Sequence, residues 1–374
     1  MISLRPRINQ PKINKPTPTS PTCENPVPIF QKRKIPSYCK MPLENIKYIL
    51  GPCSFYQFNI NGKNLYMFGE YHGDISRQKP DSGMTKDNTI MFADFVHSLV
   101  TENPEKTYDL MFEQDRELIF DTDYAKNYRD IQLSQIYRPE GENSGQSRAI
   151  EYMATTFNDC STESLRYLCQ YKNLRVHNLD YRNSHKFDDM NRTVNIYLTS
   201  GVIKVQEFLL QILNDPRIQK QIKQIKNKTL QLSLINFFQD NILRLSSLDH
   251  EDILELISFD VMIMDMYAIP RILRDFDPVK KNDAFTGTAE NVIYYAGDLH
   301  TQALLNFLIA YANITPIHPK IECTGKSNWR KRFLARFRRP KGPKSFINLD
   351  VSKTTFIVPQ HDESMINLIN HLFS

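Results

Sequence analysis

Two short apolar runs of this chain end on the same chemistry. Tyr66-Met67-Phe68-Gly69-Glu70-Tyr71-His72 closes on Gly-Glu-x-His, and Val292-Ile293-Tyr294-Tyr295-Ala296-Gly297-Asp298-Leu299-His300 closes on Gly-Asp-x-His. The glycine lets the backbone turn tightly. In an extended chain an acid and a histidine two positions apart point the same way. A carboxylate beside an imidazole is a pair used for metal ligation or general-base catalysis, and here it occurs twice. Two further strand-like runs end in charge: Tyr108–Phe112 leads into Glu113 and Asp115, and Leu174–Leu179 leads into Asp180 and Arg182.

The runs that carry these groups are short, β-branched or aromatic, and followed by helix-like sequence, so each reads as a buried strand feeding a helix. Phe55–Ile60, then Asn61-Gly62, then Leu65–Phe68, predicts a hairpin on a type I′ turn. Helical period is expected over about 88–101, near 147–157, through most of 191–276, and over Gln302–Tyr311. Short strands at Ile317–Glu322 and Thr354–Val358 and a helix over Glu363–Leu372 close the chain. Strands alternating with helices, plus an all-helical insertion at about 191–276, predict an α/β fold: a largely parallel mixed sheet flanked by helices. In such sheets ligands bind beyond the carboxyl ends of the strands, where all four charged clusters would converge.

The net charge of +5 is unevenly distributed. Residues 1–40 carry eight Lys/Arg against Glu24 alone, and residues 326–344 carry nine Lys/Arg and no acid, which leaves the rest of the chain at −11. The first segment also holds eight of the 21 prolines and reads as a disordered basic tail. Residues 41–374 then read as one domain, with order beginning near Ile46. The segment 326–344 places Trp329, Phe333 and Phe337 at helical spacing among its cations. That pattern suits an anionic membrane or nucleic acid, or else a solvated loop. Six cysteines lack CxxC spacing, and no apolar run follows the amino terminus. Reduced thiols and a cytoplasmic setting are therefore expected. Glu255, Asp260, Asp265 and Arg271 break the longest apolar stretch, Ile253–Leu273, so no transmembrane segment is expected. Asn-, Ile- and Lys-rich usage suggests an A/T-rich genome such as that of a large DNA virus, and with it host cytoplasm or virion. There is no phosphate-binding glycine loop, no GxSxG elbow and no HExxH, which argues against nucleotide binding, serine hydrolysis and zincin chemistry.

The order Gly-Glu-x-His, Glu113, Asp180/Arg182, Gly-Asp-x-His over about residues 50–322 resembles the TIKI/TraB/erythromycin-esterase superfamily, to which the haem-uptake proteins of the ChaN type are more distantly similar in fold. The resemblance implies hydrolysis of a peptide or ester bond, assisted by a metal or by histidine. His72, Glu113 and His300 would be the catalytic centre and the ligands of a divalent ion (Mn, Co or Zn). Glu70 and Asp298 would orient the histidines, Arg182 would steady an oxyanion, and Asp180 would orient Arg182 or a histidine. Plainer readings stand beside these. Either histidine could be held structurally by a neighbouring acid, Glu113 could cap a helix, and Asp180 with Arg182 could be a structural ion pair. A non-catalytic binding protein that keeps this fold is the competing function. His97, His177, His185, His250, His318, His361 and His371 show no ligand spacing and read as structural or exposed.

Overall fold

The computed structural model describes residues 22–23, 39–70, 85, 87–113, 153–154, 156–161, 166–180, 192–244, 253–276, 284–285 and 287–317, with side chains left aside at 22–23, 39–40, 192–195, 197–199 and 253–260. The tail outside 22–23 and 39–40, the helix expected near 147–157 apart from 153–154 and 156–157, the basic segment 326–344 and every element expected beyond Ile317 lie outside the described residues, as do His72, Asp115 and Arg182.

The sheet has five strands in the order β4 (Pro52–Ile60), β5 (Lys63–Glu70), β9 (Asn291–Gly297), β7 (Tyr108–Phe112), β8 (Leu174–Asn178). All neighbours are parallel except the β4–β5 hairpin at one edge. The Asn-Gly turn forms as its composition dictates, with Asn61 and Gly62 both at positive φ (53° and 85°). The two-residue strands β1 (Thr22–Cys23) and β2 (Cys39–Lys40) pair antiparallel. β3 (Tyr48–Leu50) pairs parallel with β6 (Thr89–Met91), so the first residues of the expected helix at 88–101 are strand and α1 spans Phe92–Glu102. Packing begins earlier than expected: Met41 and Leu43 are already buried.

Alternation along the strands sorts the core into two layers. Tyr66, Phe68, Leu110, Phe112, Ile293 and Tyr295 face α1. Leu65, Met67, Met111, Val292, Tyr294 and Ala296 face the helical insertion. That insertion is helical as expected: α3 (Arg192–Leu213, broken at Gly201, φ 77°), α4 (Pro216–Lys223), α5 (Lys228–Leu243) and α6 (Ile253–Leu273). Of the two apolar stripes that its helical period marks, Phe208, Leu209, Ile212, Leu213, Leu234, Phe238 and Ile242 are buried, Ile235 is partly buried, and Leu245 lies outside the described residues. α7 (Asp298–Asn306) follows β9 directly, and a π-helical turn, Phe307–Tyr311, continues it. Among the described residues no helix is long and apolar enough to cross a membrane.

The expectation of reduced thiols fails at three positions. Cys160, in the short helix α2 (Asn158–Ser161), is joined to Cys169, and Cys53 is also disulfide-bonded. A 3-10 turn at Arg166–Leu168 precedes Cys169, and the two Cα atoms stand 4.7 Å apart, within bridging distance. Peptide mapping of unreduced protein should recover Cys160 and Cys169 cross-linked. Both recovered as alkylated thiols from protein made under oxidising conditions would overturn this.

Gly69 is required by a close approach. A Cβ there would lie 2.2 Å from Ser54 Oγ, 2.8 Å from Asp298 Oδ1 and 3.2 Å from Asp298 Cα. It would intrude on the hydrogen bond that Ser54 Oγ donates to Asp298 Oδ1 at 2.7 Å, which ties the edge strand to the start of α7. Gly69→Ala should lower unfolding free energy by about 1–3 kcal/mol in urea melts, as overpacking does. The double variant Ser54→Ala/Gly69→Ala should recover part of the loss, and full stability of the single variant would contradict the account.

Candidate active site

β5 and β9 are adjacent and parallel, with Gly69 opposite Ala296 and Glu70 opposite Gly297, so the strand ends Gly69-Glu70 and Gly297-Asp298 lie side by side although 228 positions separate them. β7 flanks β9 on its other side, and the Glu113 N–H bonds Tyr295 O at 3.0 Å just beyond the end of β7. The carboxyl ends of three neighbouring strands thus bring Glu70, Glu113 and the Gly297–His300 segment together.

The second motif does not behave as an extended strand. β9 stops at Gly297 and α7 starts at Asp298, so Asp298 and His300 are roughly 200° apart around a helix axis rather than on one side. Asp298 therefore does not orient His300. It accepts from Ser54 Oγ and from Gln302 Nε2 at 3.3 Å. Glu70 is likewise engaged elsewhere, its Oε2 accepting from Tyr295 Oη at 2.5 Å on the α1 side of the sheet.

His300 is 2% exposed and held by two carboxylates. Its Nδ1 lies 2.7 Å from Asp265 Oδ1 of α6, and its Nε2 lies 3.2 Å from Glu113 Oε1. The other oxygen of Glu113 accepts from Gly297 N–H at 2.7 Å, at the amino end of α7 where a negative charge is favoured. Burial alone would lower the His300 pKa. The charges of Glu113 and Asp265 and their hydrogen bonds outweigh it and raise the pKa to about 10. The imidazole is therefore a buried imidazolium at neutral pH.

Asp265 is the partner of His300 that the sequence reading missed. Its visible signal was a carboxylate in the most apolar part of the run Ile253–Leu273, where Glu255 and Asp260 are the other acids. With Ile263, Met264, Met266 and Tyr267 all buried around it, such a group must find a partner inside. Asp180, just past β8, is partly buried; Arg182 and His72 fall outside the described residues.

His177, read as structural or exposed, is buried and structural. Its Nε2 faces Asp109 Oδ1 at 3.0 Å and its Nδ1 faces Arg271 Nη2 at 3.1 Å. Arg175 grips the same Asp109 with two bonds, at 2.7 and 2.8 Å. Desolvation, helped by the cations Arg271 and Arg175, outweighs the pull of Asp109 and lowers the His177 pKa to about 4. Neutral His177 donates from Nε2 and accepts at Nδ1, whereas His300 lies between two acceptors and is charged. A cavity of about 230 Å³ opens elsewhere, beside the Cys160–Cys169 bridge and the amino end of β8, lined by Arg166, Tyr167 and Lys172.

Among the described residues no group of three or more His, Cys, Asp or Glu is placed to hold a metal ion. The His300–Glu113 pair nevertheless fits two ligands of one. Donors bonded at roughly 2.0–2.2 Å with an angle near 100° stand roughly 3.2 Å apart, and the observed separation is 3.2 Å. Asp265 on the far ring nitrogen is the partner that orients a ligating histidine. Comparison with protein-family models, with curated proteins and with solved structures finds no match to this chain.

The two histidines give stability opposite pH slopes. A raised folded pKa contributes stability below about 6.5, lost as pH rises towards about 10; a lowered one contributes stability above about 6.5, lost as pH falls towards about 4. Unfolding free energy should therefore be greatest near pH 6.5. His300→Gln should flatten the alkaline limb in urea melts between pH 6.5 and 9.5. An alkaline limb of unchanged slope in that variant would show that His300 is not a buried cation.

Proposed function

We propose that this chain is a hydrolase of the TIKI/TraB/erythromycin-esterase type, cleaving a peptide or ester bond with a divalent ion (Mn, Co or Zn) held by His300, Glu113 and His72. The observation that carries this reading is the 3.2 Å separation of His300 Nε2 and Glu113 Oε1, with Nδ1 anchored on Asp265, at the carboxyl ends of parallel strands. The ion would polarise a carbonyl and lower the pKa of a bound water. The chain's own residues have separate tasks. Asp265 fixes the imidazole, Gly297 N–H fixes Glu113, Arg182 would steady a developing oxyanion, and Asp180 would orient Arg182 or a histidine.

A second reading is supported by the same site. His300 is 2% exposed and both its nitrogens are already engaged, which suits a structural ion cluster in a non-catalytic binding protein. In that reading the basic segment 326–344 would recruit an anionic membrane or nucleic acid. The disulfides favour an oxidising compartment over the cytoplasm first expected.

Metal analysis of the purified protein and a broad peptidase and esterase screen separate the two. Wild type should retain about one equivalent of transition metal. It should hydrolyse a substrate that Glu113→Gln and His72→Ala turn over at least about 100-fold more slowly. Wild type without metal and without hydrolysis would leave the binding reading in possession of the site.

A further inference from the structure

β9 turns Tyr294 towards the helical insertion, in register with Met67 of β5 and Met111 of β7. Glu113, two positions past Met111, continues that line. Tyr294 is 0% exposed, and its Oη meets no hydrogen-bond partner among the described residues. Of the other buried tyrosines of the sheet, Tyr295 donates to Glu70 and Tyr56 accepts from Gln302 Nε2 at 2.7 Å, while Tyr108 Oη, at the amino end of β7 and so away from the cluster, also meets no partner among the described residues. Burial, and then the nearby charges of Asp265 and Glu113, push the Tyr294 phenol well above its ordinary pKa. The group is therefore a permanent donor, aimed into the region of the Asp265–His300–Glu113 cluster without an acceptor. An unmet buried hydroxyl is destabilising, and phenylalanine would fill the same space without that penalty. An orphaned donor beside a polar cluster is explained by an acceptor that arrives from outside.

We propose that Tyr294 is the hydrogen-bond donor for an oxygen of the ligand bound at the Glu113–His300 pair; on the hydrolase reading above, that oxygen is the carbonyl oxygen of the scissile bond. Water adds to the carbonyl carbon, the π pair moves onto the oxygen, and the oxyanion takes the Tyr294 hydrogen bond. The water's proton passes to Glu113. As the carbonyl re-forms, the bond to the alcohol or amine breaks, and that leaving group takes the proton. Tyr294 keeps its own proton throughout. Its position inside the closed face of the sheet gives it little freedom to reorganise, which is the condition under which such donors act most strongly.

The test is Tyr294→Phe in the full-length protein, which deletes only the hydroxyl. On the substrate found by the screen, kcat should fall about 100- to 1,000-fold, the loss that follows removal of one oxyanion donor. KM and bound metal should be unchanged, and the melting temperature unchanged or higher. An unchanged kcat overturns the proposal. So does a melting temperature lowered by several degrees, because the hydroxyl would then already have a structural partner. If wild type hydrolyses nothing, the hydrolase reading falls by itself and Tyr294 is judged by binding. Acetohydroxamate titrated into zinc-loaded protein should bind wild type about tenfold more tightly than the variant, the worth of one hydrogen bond. Equal affinity, or no binding to either, overturns the proposal in that case.

Discussion

A buried imidazolium between two carboxylates holds the carboxyl end of the sheet to the helical insertion. His300 belongs to α7, Asp265 to α6 and Glu113 to the end of β7, so one ring joins the helical insertion to the sheet. Each group alone would be strongly unfavourable in that interior. Together they satisfy one another, with Gly297 N–H taking the remaining oxygen of Glu113. Removing His300 takes away the cation that the two buried carboxylates share, and removing either carboxylate takes the acceptor from one ring nitrogen, which is why the three must be considered as a unit.

The rest of the architecture is arranged around that constraint. Glu113 reaches Gly297 and His300 only because β7 and β9 are parallel neighbours ending at the same level. α7 can start immediately after β9 only because Gly69, on the neighbouring strand, leaves room for Asp298. Asp298 and Glu70 then serve as clamps, one to the edge strand through Ser54 and one to Tyr295. The acids of the two motifs position the backbone at the site, while the acid that orients His300 comes from the insertion. At the other end of the same face, Asp109, Arg175, His177 and Arg271 form a separate network that pins α6 to β7 and β8 with a neutral histidine.

Much of this was legible in local sequence. Asn61-Gly62 between two apolar runs gives a hairpin, the paired Gly-acid-x-His runs give neighbouring strands, and period 3.6 over 191–276 gives the helical cover. Glu113 and His300 could be grouped because both follow strand-like runs and because of the family resemblance, whereas the strand order that makes β7 and β9 neighbours is a finding of the structure. Other features depend on distances that sequence does not carry. Asp265 is 35 positions from His300 and reaches it only through the packing of α6 on α7. The orientation of Asp298 turns on a single boundary, strand ending at Gly297 rather than two residues later. The Cys160–Cys169 bridge depends on the close approach of two residues nine apart, not on a recognised spacing.

On the proposed hydrolase function, a metal ion beside Glu113 would replace the proton on His300 Nε2. Calorimetric titration of zinc at pH 7 in buffers of different ionisation enthalpy tests it most directly, because a ligand must lose its proton to bind. The account predicts that wild type releases about one proton per zinc bound, and that Glu113→Gln weakens zinc binding by at least about tenfold. Zinc that binds with no proton release, or equally well to Glu113→Gln, would contradict it.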